Sequence, residues 1–184
     1  KSRIIKQFCM DYGISLNTYA IMLYIIFKYK IGGDKDICIG VPSLGRLGRK
    51  ERSVFGMFAR VIPLIFHINN DDSITNMMKI ISENIRYGYQ NQKYPYHCML
   101  KDVGLGKNTL YSDCVNYYGT SMSMNIGGIT VQNKELYNGH QEYEIQLIIR
   151  EWDGDEKIQV DIDYKIADYT ETDIECMFNC FCTI

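Results

Sequence analysis

Several kinds of signal are missing from this chain, and each absence closes off a class of protein. Its longest apolar run, Ala20 to Phe27, spans eight residues, far short of the roughly 20 that a bilayer-crossing helix needs. No secretory signal peptide is expected either. Neither sign of charge dominates: 20 Lys+Arg against 22 Asp+Glu leave a net charge of −2, which offers no basic field to nucleic acid. Proline is scarce, at 3 residues, and no Pro/Gly/Ser-rich linker, internal repeat or low-complexity segment divides the 184 residues. A length of that kind suits one domain, or half of a two-lobed one, and can bury a proper core.

The chemistry-bearing residues are equally sparse. The three histidines, His67, His97 and His140, are separated by 30 positions or more, and none has a Cys, Asp or Glu at metal-ligand spacing. Gly104-Leu105-Gly106 lacks the further glycines and the strand-to-helix setting of a phosphate loop and reads as a turn. The seven cysteines (Cys9, Cys38, Cys98, Cys114, Cys176, Cys180, Cys182) include no CxxC pair. Their odd count fits reduced, mostly buried thiols of a cytoplasmic protein, with no metal site expected. Asp153-Gly154-Asp155 has turn chemistry without the rest of a calcium loop.

What is present describes a folded core, with 46% hydrophobic and 23% charged residues. Ile4 to Tyr12 reads as a short helix closed by Gly13. Ser15 caps a second helix in which Leu16, Tyr19, Ala20, Leu23 and Phe27 keep helical spacing, while Ile21 and Ile25 make the opposite face apolar too, so it is buried on most sides. After the turn Gly32-Gly33-Asp34, Ile37 to Val41 is apolar on both faces, as in a covered strand.

A basic loop with Arg46, Arg49, Lys50 and Arg52 follows, which reads as a solvated loop or, more sharply, as a phosphate site. A second apolar stretch then runs from Val54 to Phe66, where Gly56 suggests a bulge or close approach and Pro63 an edge or strand end. Ser73 opens a helix carrying Ile74, Met77, Met78, Ile81 and Ile85. Near the end the period changes to two, in Tyr143–Arg150 and Ile158–Lys165 around an Asp153-Gly154 hairpin turn. Thr170 and Asp173 form a capping box before a last helix with Ile174, Met177, Phe178 and Phe181 on one face. The sum is an α/β (α+β) sandwich, a mixed and largely antiparallel sheet packed with helices.

Local chemistry alone supplies no nucleophile, base or cofactor site. The order of four segments is more informative. Ile39-Gly40-Val41-Pro42-Ser43-Leu44-Gly45-Arg46 resembles an "IGxPxxGR" segment. Gly56-Met57-Phe58, ten residues after Arg46, resembles the start of "GMFVNTLPLR". Asn91-Gln92-Lys93-Tyr94-Pro95 resembles "(H/N)QxYP", and Val115-Asn116-Tyr117 an "FNY" strand. In this order and spacing the chain resembles the C-terminal half of a condensation domain of nonribosomal peptide synthetases, over essentially all 184 residues.

The resemblance implies one lobe of a chloramphenicol-acetyltransferase-like fold. In that fold two similar lobes meet around a tunnel, and an amine on one carrier domain attacks an acyl or peptidyl thioester on another to form an amide, in peptide and antibiotic biosynthesis. The implied partners are the N-terminal lobe, peptidyl carrier domains and an adjacent adenylation domain. No cofactor is implied to bind directly, because the substrates ride on phosphopantetheine arms. The family's working histidine belongs to a His-His-x-x-x-Asp-Gly motif of the N-terminal lobe. No two histidines are adjacent here, so the implied catalytic residues lie outside this chain and the chain alone is expected to be inactive.

By position, Arg46 is the arginine that pairs with that motif's Asp and supports the catalytic loop. Gly56, Met57, Phe58, Ala59, Arg60 and Val61 would line the tunnel floor, with Gly56 letting a pantetheine arm pass close to backbone. Gln92, Tyr94 and Pro95 are structural, bracing a helix. Three departures stand out: Arg60-Val61 replaces Asn-Thr, Ile65 replaces the closing Arg, and His97 replaces the acid after Tyr-Pro. Arg60 either alters tunnel polarity toward an acidic group or points into solvent.

The start at Lys1 without Met and the uncapped end at Ile184 suggest an excerpt of a longer polypeptide, residues 1–184 forming one subdomain. The alternatives are an epimerisation domain, since Asn116-Tyr117-Tyr118-Gly119 is similar to its "FNYLG" although its "GxGYG" is missing, and a non-catalytic docking module. A heterocyclisation domain differs in a segment outside this sequence.

Overall fold

The computed structural model describes residues 1–69, 71–106, 109–119, 124–131, 136, 139–151 and 157–184. In chain order the elements are α1 (Ser2–Tyr12), α2 (Leu16–Gly32), β1 (Asp36–Ser43), α3 (Arg49–Ser53), β2 (Arg60–His67), α4 (Ile74–Gln90) and α5 (Tyr96–Asp102). They continue with β3 (Asp113–Tyr118), β4 (Met124–Ile126), β5 (Ile129–Val131), β6 (Ile145–Glu151), β7 (Ile158–Tyr164) and α6 (Glu171–Thr183). The expected Asp153-Gly154 turn lies outside the described residues, but β6 and β7 pair antiparallel on either side of it, with Glu151 opposite Ile158.

The long helices begin where the sequence offers side-chain acceptors to orphan N–H groups. Ser15 accepts from Thr18 N at 3.0 Å and Ser73 from Asn76 N at 3.2 Å. Thr170 accepts from Asp173 N at 3.3 Å while Asp173 returns to Thr170 N at 2.8 Å. Helix α2 buries Ala20, Ile21, Tyr24 and Ile25 completely, as its all-round apolar sequence requires. It sits at the centre of one layer, with α4 and α6 packed against it, and Phe27 meets Phe181 at 4.4 Å between ring centroids. Among the described residues no helix is long and apolar enough to cross a membrane.

Five strands form one sheet in the order β2-β1-β3-β6-β7, and β4-β5 form a small hairpin apart. The outer pairings, β1 with β2 and β6 with β7, are antiparallel, and the two inner pairings are parallel. Pro63 lies in β2, at the sheet edge, where a missing N–H costs no ladder bond. Alternation sorts the side chains: Ile37, Ile39 and Val41 of β1, Ile62, Leu64 and Phe66 of β2, Val115 of β3, and Ile145, Leu147 and Ile149 of β6 all join the core beneath the helices. Fully burying one such side chain contributes ~1.5–3 kcal/mol, so this layer holds the fold. On the other face Tyr96, Tyr111 and Tyr143 line up at centroid spacings of 5.7 and 6.3 Å, and Arg150 pairs with Asp161.

Two expectations are corrected. The cysteines are not mostly buried: Cys9 and Cys114 are, Cys38 and Cys98 are half-buried, and Cys176, Cys180 and Cys182 are exposed, because α6 turns only Met177 and Phe181 fully inward. For the same reason Phe178 leaves the inward face and is 42% exposed. The apolar Val54–Phe66 stretch divides in two. Only its second half belongs to strand β2, and residues 54–59 are irregular.

Candidate functional site

The β1–β2 ladder has two ends. At one, Asp36 faces His67 in the register and the His67 ring contacts the Asp36 carboxylate at 2.6 Å, both well exposed. At the other, roughly 23 Å along seven strand residues, Ser43 faces Arg60. The segments singled out by sequence converge at this second end.

Gly45 has φ +67°, and a Cβ there would lie 2.0 Å from the Phe58 carbonyl oxygen, so only glycine lets β1 turn outward under the 54–59 segment. Arg46 follows. Its Nη1 donates to the carbonyls of Glu51 and of Val54, the latter at 2.7 Å, and its Nη2 donates to Gly56 O at 2.7 Å. The guanidinium carbon stands 4.3 Å from the Phe58 ring centre, a cation–π contact. Three of the five guanidinium N–H groups are thereby used, leaving Nε–H and one Nη2–H without a partner among the described residues.

Part of the basic loop is a short helix, α3. Arg49, Lys50 and Arg52 are exposed, and the lone acid organises the turn. The Glu51 carboxylate accepts from Leu47 N at 2.6 Å and Gly48 N at 3.0 Å, and Lys93 Nζ lies 2.6 Å from its other oxygen. The lysine hydrogen bond first, then the Gly48 and Leu47 amides, hold this carboxyl down at about 2.

The 91–95 segment is anchored from inside. Gln92, only 4% exposed, accepts from the Ser43 hydroxyl and donates to Tyr89 O at 2.7 Å. Its carbonyl accepts from Arg60 Nη1 at 2.8 Å, so Arg60 is spent on the protein's own backbone. The Tyr94 hydroxyl donates to Asp102 at 2.5 Å across α5, and Pro95 is the N-cap of that helix.

The 54–61 residues fall into two sets. Phe55 and Met57 are 105% and 92% exposed, and Leu44, Leu47 and Val54 stand out beside them in the chain. Ala59 is exposed, whereas Phe58 and Val61 are half-buried. Gly56 has φ +150°, and a Cβ there would meet Phe58 at an ordinary 3.7 Å. Its glycine is thus demanded by backbone conformation and not by crowding from the protein itself.

Sequence reasoning gave no role to Glu51, Lys93 and Ser43, which hold the site's shape, or to Asn116 on β3. Asn116 is 8% exposed, and its side chain has no hydrogen bond among the described residues.

His97 is exposed on α5 and His67 is at the far end. The sheet thiols make poor nucleophiles, since burial pushes Cys38 up to about 11 and Cys114 up to about 12. Among the described residues no trio of His, Cys, Asp and Glu is placed to hold a metal ion.

A family model described as "Condensation domain" matches residues 2–184. This chain belongs to the condensation-domain family. Gramicidin S synthase 2 of Brevibacillus brevis is 23% identical over 177 residues, covering 94% of this chain and 4% of that protein. A hybrid PKS-NRPS synthetase, xenE, of Xenoacremonium sinensis is 24% identical over 160 residues, covering 84% and 4%. Among solved structures, the first condensation domain of the calcium-dependent antibiotic synthetase, in complex with a substrate analogue, superposes with a TM-score of 0.82 at 17% identity, covering 98% of this chain and 40% of that one. A doubly substituted starter condensation domain of rhizomide synthetase RzmA, in complex with C8-CoA and Leu-SNAC, gives 0.81 at 22% identity, covering 90% and 38%. The chain therefore shares the α/β fold of these condensation domains, and it spans about 40% of the solved domains that it matches.

Proposed function

We propose that this chain is the C-terminal lobe of a condensation domain of a nonribosomal peptide synthetase, working in the cytoplasm as one wall of a two-walled reaction tunnel. The observation that carries the reading is the Arg46 rim. A guanidinium is fixed by three carbonyls with two N–H groups left over, beside Phe55 and Met57, which project almost entirely into solvent. Such a rim suits a carboxylate and an apolar surface supplied by a companion lobe.

In this reading the companion lobe brings the histidine that orients or deprotonates the acceptor amine. The amine nitrogen attacks the thioester carbonyl, the C–N bond forms, the C–S bond breaks, and the amine's proton ends on the released phosphopantetheine thiol. Arg46 pairs with the aspartate of the histidine loop and is a positioning residue. The 56–61 segment forms floor, with the arm passing the backbone at Gly56. Gln92, Tyr94 and Pro95 keep the floor's support in place. Carrier domains deliver both substrates, and an adenylation domain loads the acceptor carrier.

Co-expression of this chain with its N-terminal lobe and two loaded carrier domains tests the reading. Amide product is expected from the assembled pair and none from this chain alone. Product from the isolated chain would overturn it, and carrier binding by the pair without product would leave a docking module in its place.

A further inference from the structure

The 44–56 loop closes almost wholly on itself. Arg46 bonds to carbonyls at Glu51, Val54 and Gly56, and Glu51 bonds back to the amides of Leu47 and Gly48. Among the described residues, one ion pair ties this ring to a distant part of the chain, between Glu51 and Lys93, 42 residues apart in sequence. The lysine's neighbours are the most firmly held groups of the rim: Gln92 is buried with partners on β1, α4 and Arg60, and Tyr94 is bonded across α5. Lys93 thus presents its charge from a fixed turn to a loop that has little core of its own; α3 has no buried residue.

The Lys93 and Glu51 side chains are 61% and 26% exposed, and ion pairs this open add little to folding stability. A pair that scarcely stabilises the fold, yet joins the arginine's cradle to a rigid anchor, has its consequence in geometry. We propose that Lys93, acting through Glu51, is a positioning residue that presets Arg46 for the companion lobe; this rests on the role given to Arg46 above. The chain of contacts is short. Lys93 fixes one carboxylate oxygen, the other fixes the Leu47 and Gly48 amides, and the Glu51 carbonyl holds Arg46 Nη1. Releasing the lysine frees the carboxylate to rotate, and the guanidinium loses the register of its first carbonyl. Small misplacements of positioning groups are costly to turnover even where the fold is untouched.

The test uses the parent domain with both lobes and loaded carriers. Lys93→Met is expected to lower kcat about tenfold with KM within about twofold, while Tm moves by no more than about 2 °C. Lys93→Arg should recover most of the loss. In an Arg46→Ala background, Lys93→Met should add no further loss, because coupled residues are not additive. Hydrogen exchange at the Leu47 and Gly48 amides should quicken on the order of tenfold in Lys93→Met. A silent Lys93→Met beside a damaging Arg46→Ala, or losses that multiply in the double variant, would overturn the positioning role alone. An Arg46→Ala domain with full kcat would instead remove the role of Arg46 and the positioning proposal with it, and amide exchange would then report separately whether the clasp forms.

Discussion

The two sides of this molecule are held by different forces. Beneath the sheet, Tyr24, Ile21, Ile25, Ile39, Val41 and Leu147 are sealed from water, and apolar burial decides the fold. At the 44–61 rim, large apolar side chains stand in solvent, and shape comes from N–H groups and cations aimed at carbonyls. The core is complete without help. The rim is organised but uncovered, as the companion lobe proposed above would require. A surface that keeps Phe55 and Met57 outside while fixing an arginine beside them has the construction of half an interface.

Substitutions that touch one side only sharpen this contrast. Ile39 is fully buried in β1 between β2 and β3. Ile39→Ala is expected to destabilise the chain by about 2–5 kcal/mol, read as a fall in the urea midpoint at unchanged slope. The rim should respond in the opposite manner. Phe55→Ser with Met57→Ser is expected to change chain stability by less than about 0.5 kcal/mol, yet to weaken association with the N-terminal lobe by tenfold or more, on the order of one lost apolar burial. A large stability loss from the rim pair, or intact lobe association, would erase the distinction between the two sides.

The sequence showed these sides unequally. The helix starts at Ser15, Ser73 and Thr170 were legible because a cap is a local event, and the β6–β7 hairpin because alternation is local too. The parallel pairing of β1 with β3 and of β3 with β6 was not, since partner choice across long connections leaves no periodic trace. Helices α3 and α5, of 5 and 7 residues, are too short to show a helical period. At the site, the Arg46-to-Gly56 spacing drew attention to two residues that do touch, through Nη2 and a carbonyl. The Glu51–Lys93 pair could not be read, because a contact over 42 positions between two ordinary surface charges resembles every other such combination. The exposure of Phe55 and Met57 is not legible from the residues alone for a related reason: an apolar run reads as buried.

The smallest expected effect separates the sides by proton. In the core, burial and then the Asp113 charge raise the Tyr24 hydroxyl, so acid leaves it neutral and unchanged. At the rim, Glu51 is lowered from 4.5 to about 2, first by Lys93 and then by the Gly48 and Leu47 amides. A carboxyl depressed in the folded state favours folding above its unfolded pKa and loses that contribution as pH falls through the folded value. The contribution of the clasp to folding should therefore be fully present above pH 4.5 and decline toward pH 2, while the clasp itself opens only around pH 2. A carboxyl carbon titration by NMR should show Glu51 with its midpoint near the bottom of that window. In Lys93→Met the midpoint should rise without reaching the ordinary carboxylate value, because the two amides remain. A midpoint near 4.5 in the unaltered chain would mean that the carboxylate is solvated instead of clasped, and the rim would then owe its shape to Arg46 alone.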